Sequence, residues 1–219
     1  MTHDVEGIII NDFKTLSWAW VEESIIEDDA TRAARARANE LAVLPVSPGQ
    51  GACLRMLAAT AGAKAVIEIG TGTGVSGLWV LQGMTTDGVF TSIDSEAEYI
   101  EAARLAFHEG GVAASRTRLI NGRALDVMPR MTAAGYDMVI LDGDIHQLAA
   151  SLVQARRIVR KGGIIAIIHS LWRDRVSDPT KRDAETVTMR QTIRELQDDP
   201  DLVTATLTCG DGITVAVPI

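Results

Sequence analysis

The chain has 219 residues, 23% of them charged and 47% hydrophobic, a globular composition that excludes a disordered or membrane-only protein. With 21 Lys and Arg against 29 Asp and Glu, the net charge is −8, which argues against a general nucleic-acid binder. Cys53 and Cys209, the two cysteines, lie far apart in apolar settings, so neither a disulfide framework nor a zinc motif is indicated. There is no basic n-region followed by an apolar run at the start, and no stretch approaches the roughly 18 apolar residues of a membrane span. The expectation is a soluble cytoplasmic domain.

From Asn11 to Gly62 the pattern is helical. Trp18, Val21, Ile25 and Ile26 fall at helical spacing, and Asp28 and Asp29 precede an Ala/Arg run ending near Leu44. Pro45 and Pro48 interrupt this pattern before it resumes over 51–61. After Gly62, short apolar segments at 65–70, 88–94, 117–121, 136–142 and 163–168 read as buried strands. Helical segments near 74–83, 95–109, 123–132 and 147–160 separate them. This alternation predicts a doubly wound parallel sheet with right-handed crossovers. The helix at 147–160 is expected to stop at Gly162 behind Arg156, Arg157, Arg160 and Lys161, cations that complement its dipole. A further helix at 183–197 leads into 202–208 and 213–217, which flank Gly210-Asp211-Gly212. That is a hairpin, so one of its strands must run antiparallel to the sheet. A single domain is predicted, with a helical extension (1–62) packed on an α/β core (63–219).

Glu68-Ile-Gly70-Thr71-Gly72-Thr-Gly74 follows the first strand and opens a helix, where glycines allow close approach of a ligand and the helix N-terminus favours negative charge. A dinucleotide fingerprint through Gly72, Gly74 and Gly77 also fits, and Asp94 closes the second strand where an acid can bind a ribose diol. Glu68 separates the readings. A carboxylate there would repel a pyrophosphate and attract a ligand carrying an ammonium and a sulfonium. Asp142 and Asp144 add acid at the end of the fourth strand, and ligands of open α/β sheets bind beyond the strands' carboxyl ends. Each carboxylate alone also fits a helix cap or a solvated loop. Together they make a crevice suited to S-adenosylmethionine, a metal ion, or both.

The stretches Glu68-Ile-Gly-Thr-Gly-Thr-Gly-Val-Ser76, Ser92-Ile-Asp94, Asn121-Gly-Arg-Ala124, 136–144 and Gly210-Asp-Gly-Ile213 resemble the S-adenosylmethionine-dependent O-methyltransferases of the caffeoyl-CoA and catechol type, in their bacterial and actinobacterial branch. The resemblance runs from about Leu44 to the end. It implies a Rossmann-like class I methyltransferase fold, a mostly parallel seven-stranded sheet ending in an antiparallel hairpin, and a homodimer. It also implies that Val46 and Ser47 close over the methionine end of the cofactor. Glu68, Gly70, Thr71, Gly72 and Ser76 correspond to the loop around its methionine and ribose. Asp94 corresponds to the ribose ligand, Ala124 to the residue beside the adenine, and Asp144 to the ligand of the methionine amino group. Asp142 corresponds to a metal and substrate ligand.

The sequence departs from that family where its members hold a divalent cation. Ile145 stands at the family's lysine, and His169-Ser170 stand where Asp-Asn belongs. Mg²⁺ prefers carboxylate oxygens, so this exchange should weaken it, while an Asp142/His169 pair offers a softer metal only two ligands. Metal-dependent and metal-free chemistry are both compatible with the sequence. Without a metal, His169 is the candidate base, with Asp142 sharing its proton, although an imidazole that merely caps the strand fits as well. Trp172 is placed to wall a flat acceptor, and Trp79 reads as core. Trp18 and Trp20 read as packing or dimer contacts, His146 as solvated, and His3 and His108 as uninformative. The resulting expectation is methyl transfer to a hydroxyl of a small aromatic acceptor. Alternatives are a tRNA-modifying methyltransferase using Arg173, Arg175, Lys181 and Arg182, a non-catalytic cofactor binder, and an NAD-dependent dehydrogenase, which Glu68 and the hairpin oppose.

Overall fold

The structure, a computed structural model, describes residues 3–219, with side chains described from residue 13 onward. Seven strands form one sheet: β1 (Ala65–Ile69), β2 (Val89–Asp94), β3 (Thr117–Asn121), β4 (Tyr136–Leu141), β5 (Val159–Ile168), β6 (Leu202–Leu207) and β7 (Ile213–Pro218). Their order is β3-β2-β1-β4-β5-β7-β6. Neighbours from β3 to β5 are parallel, and β7 runs antiparallel to both β5 and β6. The expected hairpin is therefore present, and β7 is its antiparallel strand.

Successive residues of the central strands face opposite sides of the sheet and fill two cores, one per face. In β1, Val66 faces one core and Ile67 and Ile69 the other. The first face is covered by α2 (Asp29–Glu40), α3 (Pro48–Thr60), α4 (Val75–Gly83) and α5 (Ala97–Glu109), with Trp79 buried among them as expected. The second is covered by α7 (Leu148–Ile158) and α8 (Ala184–Gln197), with the short α6 (Ala124–Val127) at its edge. Asp28 caps α2 by accepting from Thr31 N, and Ser47 and Gln50 form a reciprocal capping box on α3.

Two expectations need correction. The predicted helix at 123–132 is only one turn long, followed by a 3₁₀ turn at Met128–Arg130, because Pro129 has no N–H to continue it. The helix at 147–160 ends at Ile158, and Arg160 and Lys161 belong to β5. Tertiary partners divide the basic cluster. Arg160 Nε lies 2.6 Å from Asp137, Arg156 pairs with Asp199, and Arg157 donates to the Met128 and Met131 carbonyls.

Within the helical extension, α2 and α3 contribute to the core and α1 (His3–Ser24) does so least. It leaves Phe13, Leu16, Trp18 and Trp20 exposed and meets the body near its end, through Glu22. Cys53 and Cys209 are free and pack against the same core, where α3 lies against the β6–β7 turn. Among the described residues, no helix is long and apolar enough to cross a membrane.

Candidate functional site

The strand order reverses between β1 and β4, and that switch point is where an open α/β sheet leaves a crevice. Gly70 makes the crevice possible. Its φ is +94°, and a Cβ there would lie 2.2 Å from the Asp142 carbonyl, so only glycine lets the ends of the two strands approach this closely. The loop then turns into α4, whose N-terminus faces the opening. A cavity of about 460 Å³ results, lined by Val46, Gly70, Thr71, Gly72, Ser76, Asp94, Ala124, Asp142 and Asp144 among others. Eight of the ten predicted cofactor positions line the wall, all but Ser47 and Glu68.

Those two lie behind the wall. Ser47 Oγ caps α3 and donates to Glu22 at 3.1 Å. Glu68 is completely buried beneath the glycine loop, and the β1–β2 register sets it beside Ser92, whose hydroxyl donates to it at 2.8 Å. Its Oε1 is buried with no hydrogen-bond partner. Burial pushes the Glu68 carboxyl up to about 8; Ser76 and Ser92 oppose this, and Asp142 and Asp94 add to it. Asp94 accepts from the amides of Thr71 and Gly72, fastening the glycine loop to the end of β2. Asp144 accepts from His146 N and Gln147 Nε2, which holds its carboxylate at the start of the next turn.

A second cavity, of about 550 Å³, adjoins the first and shares Val43, Leu44, Leu141, Asp142, Gly143 and Leu148 with it. Trp172, Met189 and Ile145 give it apolar walls, and His169 and Asp211 lie in it with Asp142. Pairing of Ile168 with Ile213 sets the end of β5 against the start of β7, so His169 emerges beside the Gly210-Asp211-Gly212 turn. Its Nδ1 lies 3.4 Å from Asp211 Oδ2 and its Nε2 3.7 Å from Asp142 Oδ1. The imidazole is thus in ion-pair range of two carboxylates and hydrogen bonded to neither. Burial acts to lower the His169 pKa, but the adjoining Asp211 and the negative charge of Asp142 outweigh burial and the nearby Arg173, so the net shift is upward. Burial raises Asp142 to about 7, with His169 opposing and Asp94 reinforcing the shift.

The backbone around this group is strained. His169, Trp172, Arg173 and Asp174 all have φ between 52° and 59°, which costs non-glycine residues about 1 kcal/mol or more each. Asp211 helps to hold the turn, because its Oδ1 accepts from Arg173 N.

The family model described as O-methyltransferase matches residues 19–219. The chain belongs to the O-methyltransferase family. Within it, a Mycobacterium ulcerans protein named as an O-methyltransferase is 45% identical over 199 residues, covering 91% of this chain and 89% of that one. A Corynebacterium glutamicum crystal structure superposes with a TM-score of 0.86 at 30% identity, covering 94% of this chain and 97% of that one. The O-methyltransferase TomG of Streptomyces achromogenes, solved with S-adenosylmethionine, gives 0.80 at 28%, covering 89% and 91%. Membership makes this chain an S-adenosylmethionine-dependent O-methyltransferase, and the other three readings of the sequence are not favoured. In the basic loop offered for tRNA, Arg175 is already bound by Asp183.

The first cavity fits the family's cofactor. It has the size of a small-molecule site, and Asp94, Asp142 and Asp144 in its lining suit a ligand that carries a ribose diol, an ammonium and a sulfonium. The donors around His169 do not fit a divalent ion. The two ring nitrogens face different carboxylates, and among the described residues no three His, Cys, Asp or Glu side chains are grouped so as to hold a metal. Asp211 is the member of the site that sequence reasoning missed. Its signal was present in the Gly-Asp-Gly turn, which reads equally well as hairpin chemistry.

Proposed function

We propose that this O-methyltransferase methylates a hydroxyl of a small, flat, aromatic acceptor, with His169 as the base and Asp211 as the residue that orients it. The observation that carries this reading is the shared wall of the two cavities, where Asp142 and His169 lie within 3.7 Å of each other. When bound in the first cavity, S-adenosylmethionine supplies an electrophilic methyl on sulfonium and leaves as a neutral thioether. Asp144 and the glycine loop would hold its methionine end, Asp94 its ribose hydroxyls and Ala124 its adenine. Val46 and its neighbours close the methionine side, with Ser47 holding them in place from behind.

In the second cavity, Trp172 and Met189 hold the acceptor ring so that its hydroxyl points to the shared wall. His169 Nε2 takes the hydroxyl proton, leaving the acceptor oxygen free to act as the nucleophile. Asp211, on Nδ1, stabilises the imidazolium that forms. Asp142, whose carboxyl burial raises to about 7, lies 3.7 Å from Nε2 and shares the proton with His169. No step needs a metal.

Calorimetric titration with S-adenosylhomocysteine, followed by acceptor screening with labelled cofactor, tests this reading. Stoichiometric binding that Asp144→Ala weakens, with turnover of phenolic acceptors that His169→Asn removes, is expected. An isotherm insensitive to Asp144, or turnover insensitive to His169, would contradict it.

We further propose a cytoplasmic homodimer. Two free thiols suit a reducing compartment. Phe13, Leu16 and Trp20, each more than 60% exposed, form a stripe on α1 that a second copy would cover.

A further inference from the structure

We infer that Glu22, at the end of α1 and outside both cavities, is a positioning residue that locks the cofactor-closing segment and the Asp211 turn into one unit. This rests on the two-cavity reading above. Glu22 Oε2 accepts from Gly49 N at 2.8 Å, and Oε1 accepts from Ser47 Oγ at 3.1 Å and from Gly210 N at 3.0 Å. One carboxylate thereby joins three elements: α1, the start of α3 and the β6–β7 turn.

Each tie leads to the site. Ser47 directly follows 43–46, which line the first cavity, and Val43 and Leu44 line both. Gly210 directly precedes Asp211, which faces His169. Gln50 reinforces the junction: its Oε1 accepts from Ser47 N, and its Nε2 donates to Gly212 O at 3.1 Å, on the far side of Asp211. The Asp211 turn is therefore held at both shoulders by the N-terminal helices, while its tip holds the imidazole and the Arg173 amide.

Helix capping alone does not account for Glu22. α3 already has a complete capping box. A carboxylate in the last turn of α1 opposes that helix's dipole, and its position is favourable only because it meets the N-terminus of α3. The neighbouring backbone accommodates the junction. A Cβ at Gly210, where φ is +50°, would lie 2.3 Å from Ser47 Oγ.

The test compares Glu22→Ala, Glu22→Gln and a control, Asp137→Asn, at the opposite end of the sheet, where Asp137 binds Lys64 N, Ala65 N and Arg160. Thermal midpoint, S-adenosylhomocysteine affinity and segment-resolved hydrogen exchange are measured on each full-length protein. Glu22→Ala should weaken S-adenosylhomocysteine about 3- to 30-fold and raise exchange selectively in 43–46 and 209–212. Glu22→Gln, which keeps an acceptor for Gly210 but loses the one for Gly49, should fall between it and the parent. Asp137→Asn should lower the thermal midpoint without either local effect. Parental affinity in folded Glu22→Gln and Glu22→Ala, or an equal loss in the control, would overturn the inference. Failure of the parent protein to bind S-adenosylhomocysteine would instead refute the cofactor reading.

Discussion

His169 and Asp211, 42 positions apart in sequence, face each other at 3.4 Å because β5 and β7 pair in a register that sets Ile168 opposite Ile213. The contact is fixed from both sides. His169 is held in a left-handed backbone conformation, and Asp211 is anchored by the Arg173 amide. Strain of this kind persists where surrounding structure enforces it, and here it aims Nε2 at the wall shared by the two cavities.

The Asp211→Asn variant keeps the shape of this contact and removes its charge. Turnover should fall by about 10²-fold, the scale of general-base assistance, with little change in S-adenosylhomocysteine affinity. The pH–rate profile of the parent should rise with pH through the elevated His169 pKa, because only the neutral imidazole accepts a proton. In Asp211→Asn that limb should move to lower pH. An unshifted limb would remove Asp211 from the mechanism.

Stability should carry the opposite signature. His169 titrates higher folded than unfolded, so its stabilising contribution is complete below about 6.5 and is lost as pH rises through the folded value. Glu68 acts in the same direction by a different route. Its folded carboxyl holds a proton up to about 8 against an ordinary 4.5, so stability falls as pH rises across that interval. Glu68→Gln should flatten this fall and be more stable than the parent at pH 8 in denaturant titrations. A parent whose stability rises steadily from pH 5 to 8 would contradict the buried, protonated state.

Gly70→Ala should be among the most damaging single changes. Its Cβ would strike the Asp142 carbonyl in a backbone conformation that alanine resists. A loss of at least about 2 kcal/mol in stability, together with loss of S-adenosylhomocysteine binding, is expected.

Leu16→Glu combined with Trp20→Glu tests the proposed use of α1. Both side chains are exposed within the monomer, so the fold should survive with the same thermal midpoint at low concentration. Light scattering should show the parent as a dimer and the variant as a monomer. A monomeric parent would leave that stripe without its proposed partner.

The sheet was legible because buried parallel strands are short apolar runs punctuated by turns, and the acidic glycine loop marked the switch point. Most of the first cavity's lining lies close to that loop in sequence or at neighbouring strand ends. Long-range relations were less accessible. Asp211 looked like a turn residue, since nothing local reveals which strand end a hairpin will face. Glu22 carries no local signal, because its partners Ser47, Gly49 and Gly210 lie 25 to 188 positions away. Arg160 looked like a helix terminator until Asp137, on the neighbouring strand, drew it into β5. Ser47 and Glu68 lie behind the cavity wall, Ser47 because its hydroxyl caps α3 and Glu68 because spacing gives depth along a strand and not what its side chain faces.

The most direct test of the account is methyl transfer from labelled S-adenosylmethionine to a panel of phenolic acceptors, measured in excess chelator with the parent and with His169→Asn. Turnover by the parent that chelator does not reduce, and that His169→Asn loses by about 10²-fold or more, is expected. Turnover that chelator abolishes and a divalent metal restores, or that survives unchanged in His169→Asn, would contradict it.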